Sequence, residues 1–374
     1  MRPLVCFIQL LLLGITPAVS QTLAPLHAPD SNVATGIERN AAGEGGFDHY
    51  RHHHDAVQII TFDVPGSIGT FPQAINDAGR ITGSYQDASF LQHGFLRKED
   101  GDITSFDVAG ANSTSPAAIN AEGRITGYFN DGSGTHGFLR ERDGTTITFD
   151  VAGAMGTSAA AINAEGEIAG SYVDGSGTHG FLRKRDGSIT TFDVDGAVVT
   201  TPVGLNSEGE IAGMWSTTSF GGSGFLRKRN GTIITFEVAG AFATLPRTIN
   251  GRGQTAGVYT DPQEGPAFGT HGFLRHRDGT LTLFDAPDSH DIFASPFSIN
   301  LAGQITGYFH DLNLVTHGFL RERDGTFITI DVPGARGTTA MAINSEGEIT
   351  GTWSDGTSTH GFLRTGCCPE GRFR

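Results

Sequence analysis

The tetrapeptide Gly-Phe-Leu-Arg occurs seven times in this chain, with its phenylalanine at Phe95, Phe138, Phe181, Phe225, Phe273, Phe319 and Phe362. The steps between copies are 43, 43, 44, 48, 46 and 43 residues. The consensus around the copies reads Ala-Ile-Asn-x-x-Gly-x-Ile-x-Gly-x-aromatic, then a variable stretch, then His-Gly-Phe-Leu-Arg-x-Arg-Asp-Gly-Thr-x-Thr-Phe-Asp-Val. Self-similarity at this period, in strand-forming sequence, excludes an ordinary single-core domain. Each unit buries its apolar face only against its neighbours.

Two segments of the unit have fixed length. The repeated Asn and the aromatic are nine steps apart, as from Asn76 to Tyr85 and from Asn344 to Trp353. The motif Phe and the Phe or Ile of the Phe-Asp-like pair are eleven apart, as from Phe138 to Phe149. Both read as β-hairpins. Asn-x-x-Gly supplies the first and last residues of a tight turn, and Asp-Gly or Asn-Gly between alternating runs is a strong hairpin signal. Each unit therefore has four strands, a to d, in about 43 residues, which fits a propeller blade and overfills one coil of a β-helix or leucine-rich horseshoe.

Only six c–d turns carry the signal, at Asp100, Asp143, Asp186, Asn230, Asp278 and Asp324. The seventh is split between a d-like segment at residues 59–64 and a c-like segment at 361–364. Pairing of these two leaves no open sheet edge. The expectation is an all-β fold, a seven-bladed β-propeller of four-stranded blades over residues 56–364, its N-terminal strand closing the last blade.

Length variation is confined to the b–c and d–a connections, which an up-and-down blade places on one face. Loops held by a rigid frame are where binding residues concentrate. Residues 260–270 form a connection of eleven residues where the other units have six or seven, and thirteen residues separate Asp285 from Ile299 where the equivalents have eleven. The candidate ligand-binding residues are Tyr259, Asp261, Glu264, Asp288, His290, Asp291 and Phe293, whose carboxylates, imidazole and rings suit a sugar or a cation. The competing reading is a neutral insertion, tolerated at small entropic cost.

Residues 1–20 read as a secretory signal: Arg2, an apolar run at 4–19, and Ala18-Val19-Ser20 before Gln21. Secretion to the extracellular space or periplasm is expected. Residues 21–55 lack periodicity and read as a disordered lead-in. A tail at 365–374 holds Cys367 and Cys368, with bridging to each other or to another chain left open. A net charge of −15 with 17% charged residues offers no basic surface for nucleic acid. No segment is long and apolar enough to span a membrane.

The motif histidines (His93, His136, His179, His271, His317 and His360, with Ser223 in the fourth unit) and the paired acids (Asp63, Asp107, Asp150, Asp193, Asp285 and Asp331, with Glu237 as the variant) invite a metal reading. Ligands to one ion must converge within about 2–2.6 Å of it, and equivalent positions of different blades lie far apart. Hydrogen bonding within each unit or to the next is expected instead. The aromatics ending strand b (Tyr85, Phe129, Tyr172, Trp215, Tyr259, Phe309 and Trp353) are expected to wedge between blades, with stacking on sugars as the alternative. A His-rich tract at 49–55 suits adventitious metal, and the loops at 130–134 and 174–177 have too few carboxylates for calcium. No metal, no cofactor and no catalytic constellation is expected. The reading is a monomeric, non-catalytic binding or scaffold protein whose partner is a carbohydrate or another exported protein. The alternative is a polysaccharide lyase or hydrolase with a site at the channel mouth.

The joint pattern of Ala-Ile-Asn-x-x-Gly-x-Ile-x-Gly-x-Tyr, His-Gly-Phe-Leu-Arg and Asp-Gly-Thr…Phe-Asp-Val-Pro-Gly-Ala resembles the HAF-repeat family of predicted bacterial extracellular repeat proteins, over residues 56–364. This chain has His-Gly-Phe in six units and Ser-Gly-Phe in one, where that family typically has His-Ala-Phe. The resemblance implies export and a repeat architecture, and it brings no established activity.

Overall fold

The computed structural model describes residues 57–217, 221–262, 269–287 and 289–366, without the side chains of 290–294. They belong to one unit that takes in His53–Arg374. The signal segment, the lead-in, the His-rich tract and the two cysteines lie outside the described residues.

The first hairpin joins β2 (Gly69–Ile75) to β3 (Ile81–Gln86). Gly79 closes its turn, donating its N–H to the Asn76 carbonyl at 2.9 Å from a left-handed φ of 71°. The second joins β4 (Gln92–Arg97) to β5 (Ile103–Phe106). Its turn is longer than a two-residue hairpin. The Lys98 N–H reaches the Asp102 carbonyl, and Gly101 sits at φ 95°, so the Asp-Gly pair ends a type I turn with glycine in the left-handed position. This β2–β3–β4–β5 antiparallel meander recurs along the chain, giving 28 strands and no α-helix among the described residues. In the last meander, β26 (Gly337–Ile343), β27 (Ile349–Ser354) and β28 (Thr359–Thr365) take β1 (Gln58–Phe62) as the fourth strand, with Ile59 opposite Arg364 and Phe62 opposite Gly361. The two ends of the repeat array thus share one sheet.

The packing follows from the repeat. All seven motif phenylalanines are fully buried. In six of the seven units the motif arginine reaches back to the preceding unit: the Arg97 guanidinium lies 5.1 Å from the Phe62 ring, and that of Arg140 lies 4.6 Å from Phe106. The motif glycine makes room for the Phe of its own Phe-Asp pair, since a Cβ on Gly137 would lie 2.6 Å from the Phe149 ring.

Every first strand is interrupted by a β-bulge, as between Pro72 and Ala74 in β2. The residues left out of register are Gln73, Ala117, Ala160, Val203, Arg247, Phe297 and Met341.

Neighbouring units are tied through the repeated asparagine. Each Asn Nδ2 donates to the carbonyl of the next unit's Asn at 2.9–3.3 Å, from Asn76 through Asn120, Asn163, Asn206, Asn250 and Asn300 to Asn344. Asn344 then donates to Asn76 at 3.1 Å. The Asn76 Oδ1 accepts the N–H groups of Ala78 and Arg80. One side chain therefore holds its own turn and grips its neighbour, which explains an invariant Asn where many residues would turn the chain.

Candidate functional site

The b–c and d–a connections meet at one end of the strands. Single parallel bridges join the start of strand c to the start of the next first strand, as between Thr135 and Gly156 or Thr178 and Val199. The motif histidines stand at this end, each held through Nδ1 by an aspartate, whereas the His360 Nε2 has no hydrogen bond and lies 3.6 Å from Asp355. His136 pairs through Nδ1 with Asp150 at 2.9 Å and through Nε2 with Asp131 at 3.3 Å. His179 holds Asp193 and Asp174 in the same way. His93, His271, His317 and His360 hold Asp107, Asp285, Asp331 and Asp63 at 2.7–2.9 Å. Ser223 and Glu237 stand 3.5 Å apart in place of the pair. Of the two expected arrangements, bonding within the unit or to the next, the structure shows the first. In the last unit that bond bridges the chain ends, since Asp63 comes from the connection after β1.

The hydrogen bond to Asp150 raises the pKa of His136, outweighing a smaller effect of burial. Ser133 donates through its hydroxyl and its backbone N–H to Asp131, which holds that carboxyl down at about 2. Asp174, with Ser176, is likewise lowered to about 2. These loops are Asx turns with an imidazole as a further partner. Among the described residues no group of three His, Cys, Asp or Glu side chains could hold a metal ion.

The aromatics ending strand b pack between units as expected: Phe129 joins a cluster with Leu96 and Phe106 of the preceding unit, and Trp353 one with Leu320 and Ile330. Six of the seven also lie against the histidine of the neighbouring strand in their own unit, while Trp215 is opposite Ser223. Trp353 and His360 have centroids 4.4 Å apart at 27°, and Tyr85 and His93 are 5.1 Å apart at 28°. The reason is register: aromatic and histidine are directly opposite, as in Tyr85↔His93 and Tyr172↔His179, where facing rings interact most strongly.

The same end displays apolar side chains. Phe90, Leu312, Leu314 and Met155 are 73%, 71%, 68% and 65% exposed, and Leu91, Val198 and Phe242 are also exposed. Phe90 and Leu314 have φ of 63° and 62°, the non-glycine left-handed residues among those described. A bulky residue held there is strained. A shallow opening of about 510 Å³ lies in the second unit, lined by Ser133, His136, Asp150 and Met155 among others.

For the site expected on the two long connections, the structure gives part of an answer. Tyr259 stacks on His271 at 5.0 Å and 26°. Asp261 ends strand β19 (Thr255–Asp261), opposite Gly269 of β20 (Gly269–Arg275). The backbone of Phe293, in β22 (Ser289–Ile299), bridges Thr270, so the ends of the two long connections adjoin. Five steps of β22, from Ser289 to Ala294, are set against two of β23 (Ile305–Asp311), from Asp311 to Phe309; the extra length is a bulge. Glu264 and Asp288 lie outside the described residues, as do the side chains of His290, Asp291 and Phe293.

Sequence reasoning missed Arg247. Its signal was available: the third residue before the repeated Asn is uncharged in six units and arginine in one.

No family model and no curated protein matches this sequence. Solved structures do. A catalytically inactive virginiamycin B lyase from Staphylococcus aureus, with quinupristin, matches at TM-score 0.57 and 13% identity, over 83% of this chain and 100% of that one. The β-propeller domain of the trilobed protease from Pyrococcus furiosus matches at 0.55 and 9%, over 79% and 95%. A prolyl endopeptidase matches at 0.58 and 9%, over 80% of this chain and 49% of that one. The fold is a β-propeller. At such identities the likeness reaches no further than the fold. Among the described residues no helix is long and apolar enough to cross a membrane.

Proposed function

We propose that this chain is a seven-bladed β-propeller of the HAF-repeat type, closed by β1, that serves as an exported, non-catalytic binding or scaffold module. Its ligand, a carbohydrate or another exported protein, sits on the face of the b–c and d–a connections. Support for the closed ring comes from the asparagine series that returns to Asn76 and from β1 in the sheet of β28.

The observation behind the binding reading is the division of labour on that face. The repeated histidines, carboxylates and rings are engaged with one another inside each unit, whereas exposed apolar side chains such as Phe90, Met155, Leu312 and Leu314 stand on the connections. Apolar groups gathered on loops of a rigid frame mark an interaction surface. Near-equivalent units suit repeated weak contacts that sum to avidity.

The test is a glycan array together with a polysaccharide-degradation screen on the secreted protein. Saturable binding without turnover is expected. Turnover of any polysaccharide overturns the reading in favour of a lyase or hydrolase. A variant with residues 260–270 and 286–298 trimmed to the second unit's lengths is expected to lose the binding; retention of both binding and stability removes the long connections from the site.

A further inference from the structure

Arg247 is the bulged residue of β18 (Ala243–Ile249), left out of register between Pro246 and Thr248. Bulges re-aim side chains and recur beside functional sites. All seven bulged residues are half-buried, and each first strand adjoins the first strands on either side, with β26 adjoining β2. In the closed ring proposed above, on which this placement rests, they line the axial channel. Arg247 is the one charge among them.

Its surroundings are unlike those of the motif arginines. Six of those lie over a phenylalanine ring and four of the six also donate to a carbonyl, as Arg275 does over Phe236 and to His276. Arg247 makes no hydrogen bond, ion pair or ring contact among the described residues; its Nε is enclosed without a partner, as are those of Arg97, Arg183, Arg227, Arg275 and Arg321, so what sets it apart is the absence of a ring beneath the guanidinium. Burial lowers its pKa, and the one titratable group acting on it is the Tyr308 phenol rather than a carboxylate. A partly desolvated cation without a counter-charge is costly in a native fold and calls for an explanation.

The next unit supplies what a ligand would meet. Phe297, the bulged residue of β22, lies 5.4 Å from the Tyr308 ring at 32°. Tyr308 touches His310 edge-on at 5.5 Å, and the His310 Nδ1 is 3.1 Å from the Thr316 hydroxyl. A guanidinium fork matches a carboxylate bidentately, and flat rings beside it cover the apolar face of a sugar while the phenol addresses a hydroxyl.

We propose that Arg247, with Phe297 and Tyr308, forms a binding site for the carboxylate of an acidic, uronate-type saccharide. The guanidinium takes the carboxylate and the rings take the pyranose face. The chain's net charge of −15 gives no long-range attraction for such a ligand, so recognition depends on this one cation.

The experiment is isothermal titration of the full chain with galacturonate, galactose and acetate, and of R247Q and R247K. The parent is expected to bind galacturonate at least about tenfold more tightly than galactose or acetate, since a hydrogen-bonded charge contact is worth about that ratio or more. R247Q abolishes the preference and R247K keeps part of it. Without ligand, R247Q melts at or above the parent temperature, because only an uncompensated charge has gone. Three results overturn the proposal: acetate binding as well as galacturonate, galacturonate binding that survives R247Q, or an R247Q protein that unfolds several degrees early and so needs Arg247 for its fold. A parent that ignores galacturonate also overturns it and leaves the loop-face reading untouched. A loop-trimmed protein is expected to keep galacturonate binding, and loss of that binding on trimming overturns the placement at Arg247.

Discussion

Replacing Gly137 by alanine tests the packing that joins the two hairpins of a unit. The added Cβ would lie 2.6 Å from Cε2 and 2.7 Å from Cζ of Phe149, about 0.8 Å short of ordinary contact near 3.4 Å. Phe149 has little room to retreat. Its ring meets Phe181 edge-on at 6.0 Å, and the Arg183 guanidinium lies 4.9 Å from its centre. Overpacking of this kind costs about 1–3 kcal/mol. Gly318 provides the internal control, because its unit has Ile330 at the phenylalanine position and the nearest atoms are the Ile330 carbonyl oxygen at 3.0 Å and the Ala340 Cβ at 3.4 Å; G318A should cost less than G137A. Phe149→Ile alone loses the edge contact and the cation–π contact, about 1–2 kcal/mol together. In the G137A background it also removes the clash. The two changes are therefore expected to couple by about 1 kcal/mol or more in urea unfolding, with m unchanged. Additive effects, or a G137A protein within about 0.5 kcal/mol of the parent, would refute the account of why these units carry His-Gly-Phe rather than His-Ala-Phe.

Gly166→Val places a β-branched side chain at φ 80° with its Cβ 2.6 Å from the Arg124 Nη1; it should cost about 2 kcal/mol or more, and an unchanged melting temperature would contradict the turn. Phe90→Gly relieves a left-handed φ of 63° and should raise stability by up to about 1 kcal/mol while weakening whatever binds the loop face, read by melting and by the array. The pKa of His136 is raised by the hydrogen bond to Asp150, and those of His93 and His179 are raised by their aspartates against an opposing effect of burial. Their contribution is full below the unfolded value near 6.5 and lost as pH rises through the folded values, so the melting temperature should fall between pH 6 and 8, and less so in His136→Gln. Asp131 and Asp174, lowered to about 2, contribute above the unfolded value and lose that contribution only as pH falls through about 2, so their loops should hold at pH 3 in a hydrogen-exchange measurement.

The all-β architecture was legible because a repeat writes the same local code several times over. Asn-x-x-Gly fixes one turn, the left-handed glycine fixes the other, and constant spacing puts Tyr172 opposite His179. The pairing of the terminal strands was legible too, since an incomplete unit at each end has one economical solution, and β1 lies beside β28. Which atom each side chain serves was not. The sequence shows a repeated Asn but not that its Nδ2 reaches the next unit's carbonyl, because that contact spans 43 residues and depends on the tilt between units. It shows an aromatic and a histidine but not their stacking, which strand register decides. Arg247 is the clearest case. A local reading finds one arginine in a strand, and only the bulge at Pro246 and the neighbouring Tyr308 and Phe297 make it a half-buried cation without a counter-charge. Local propensity and spacing act within a hairpin, so sequence determines the units. Burial and electrostatics are properties of what several units enclose together, so the tertiary structure alone decides where a ligand would find an unmet need.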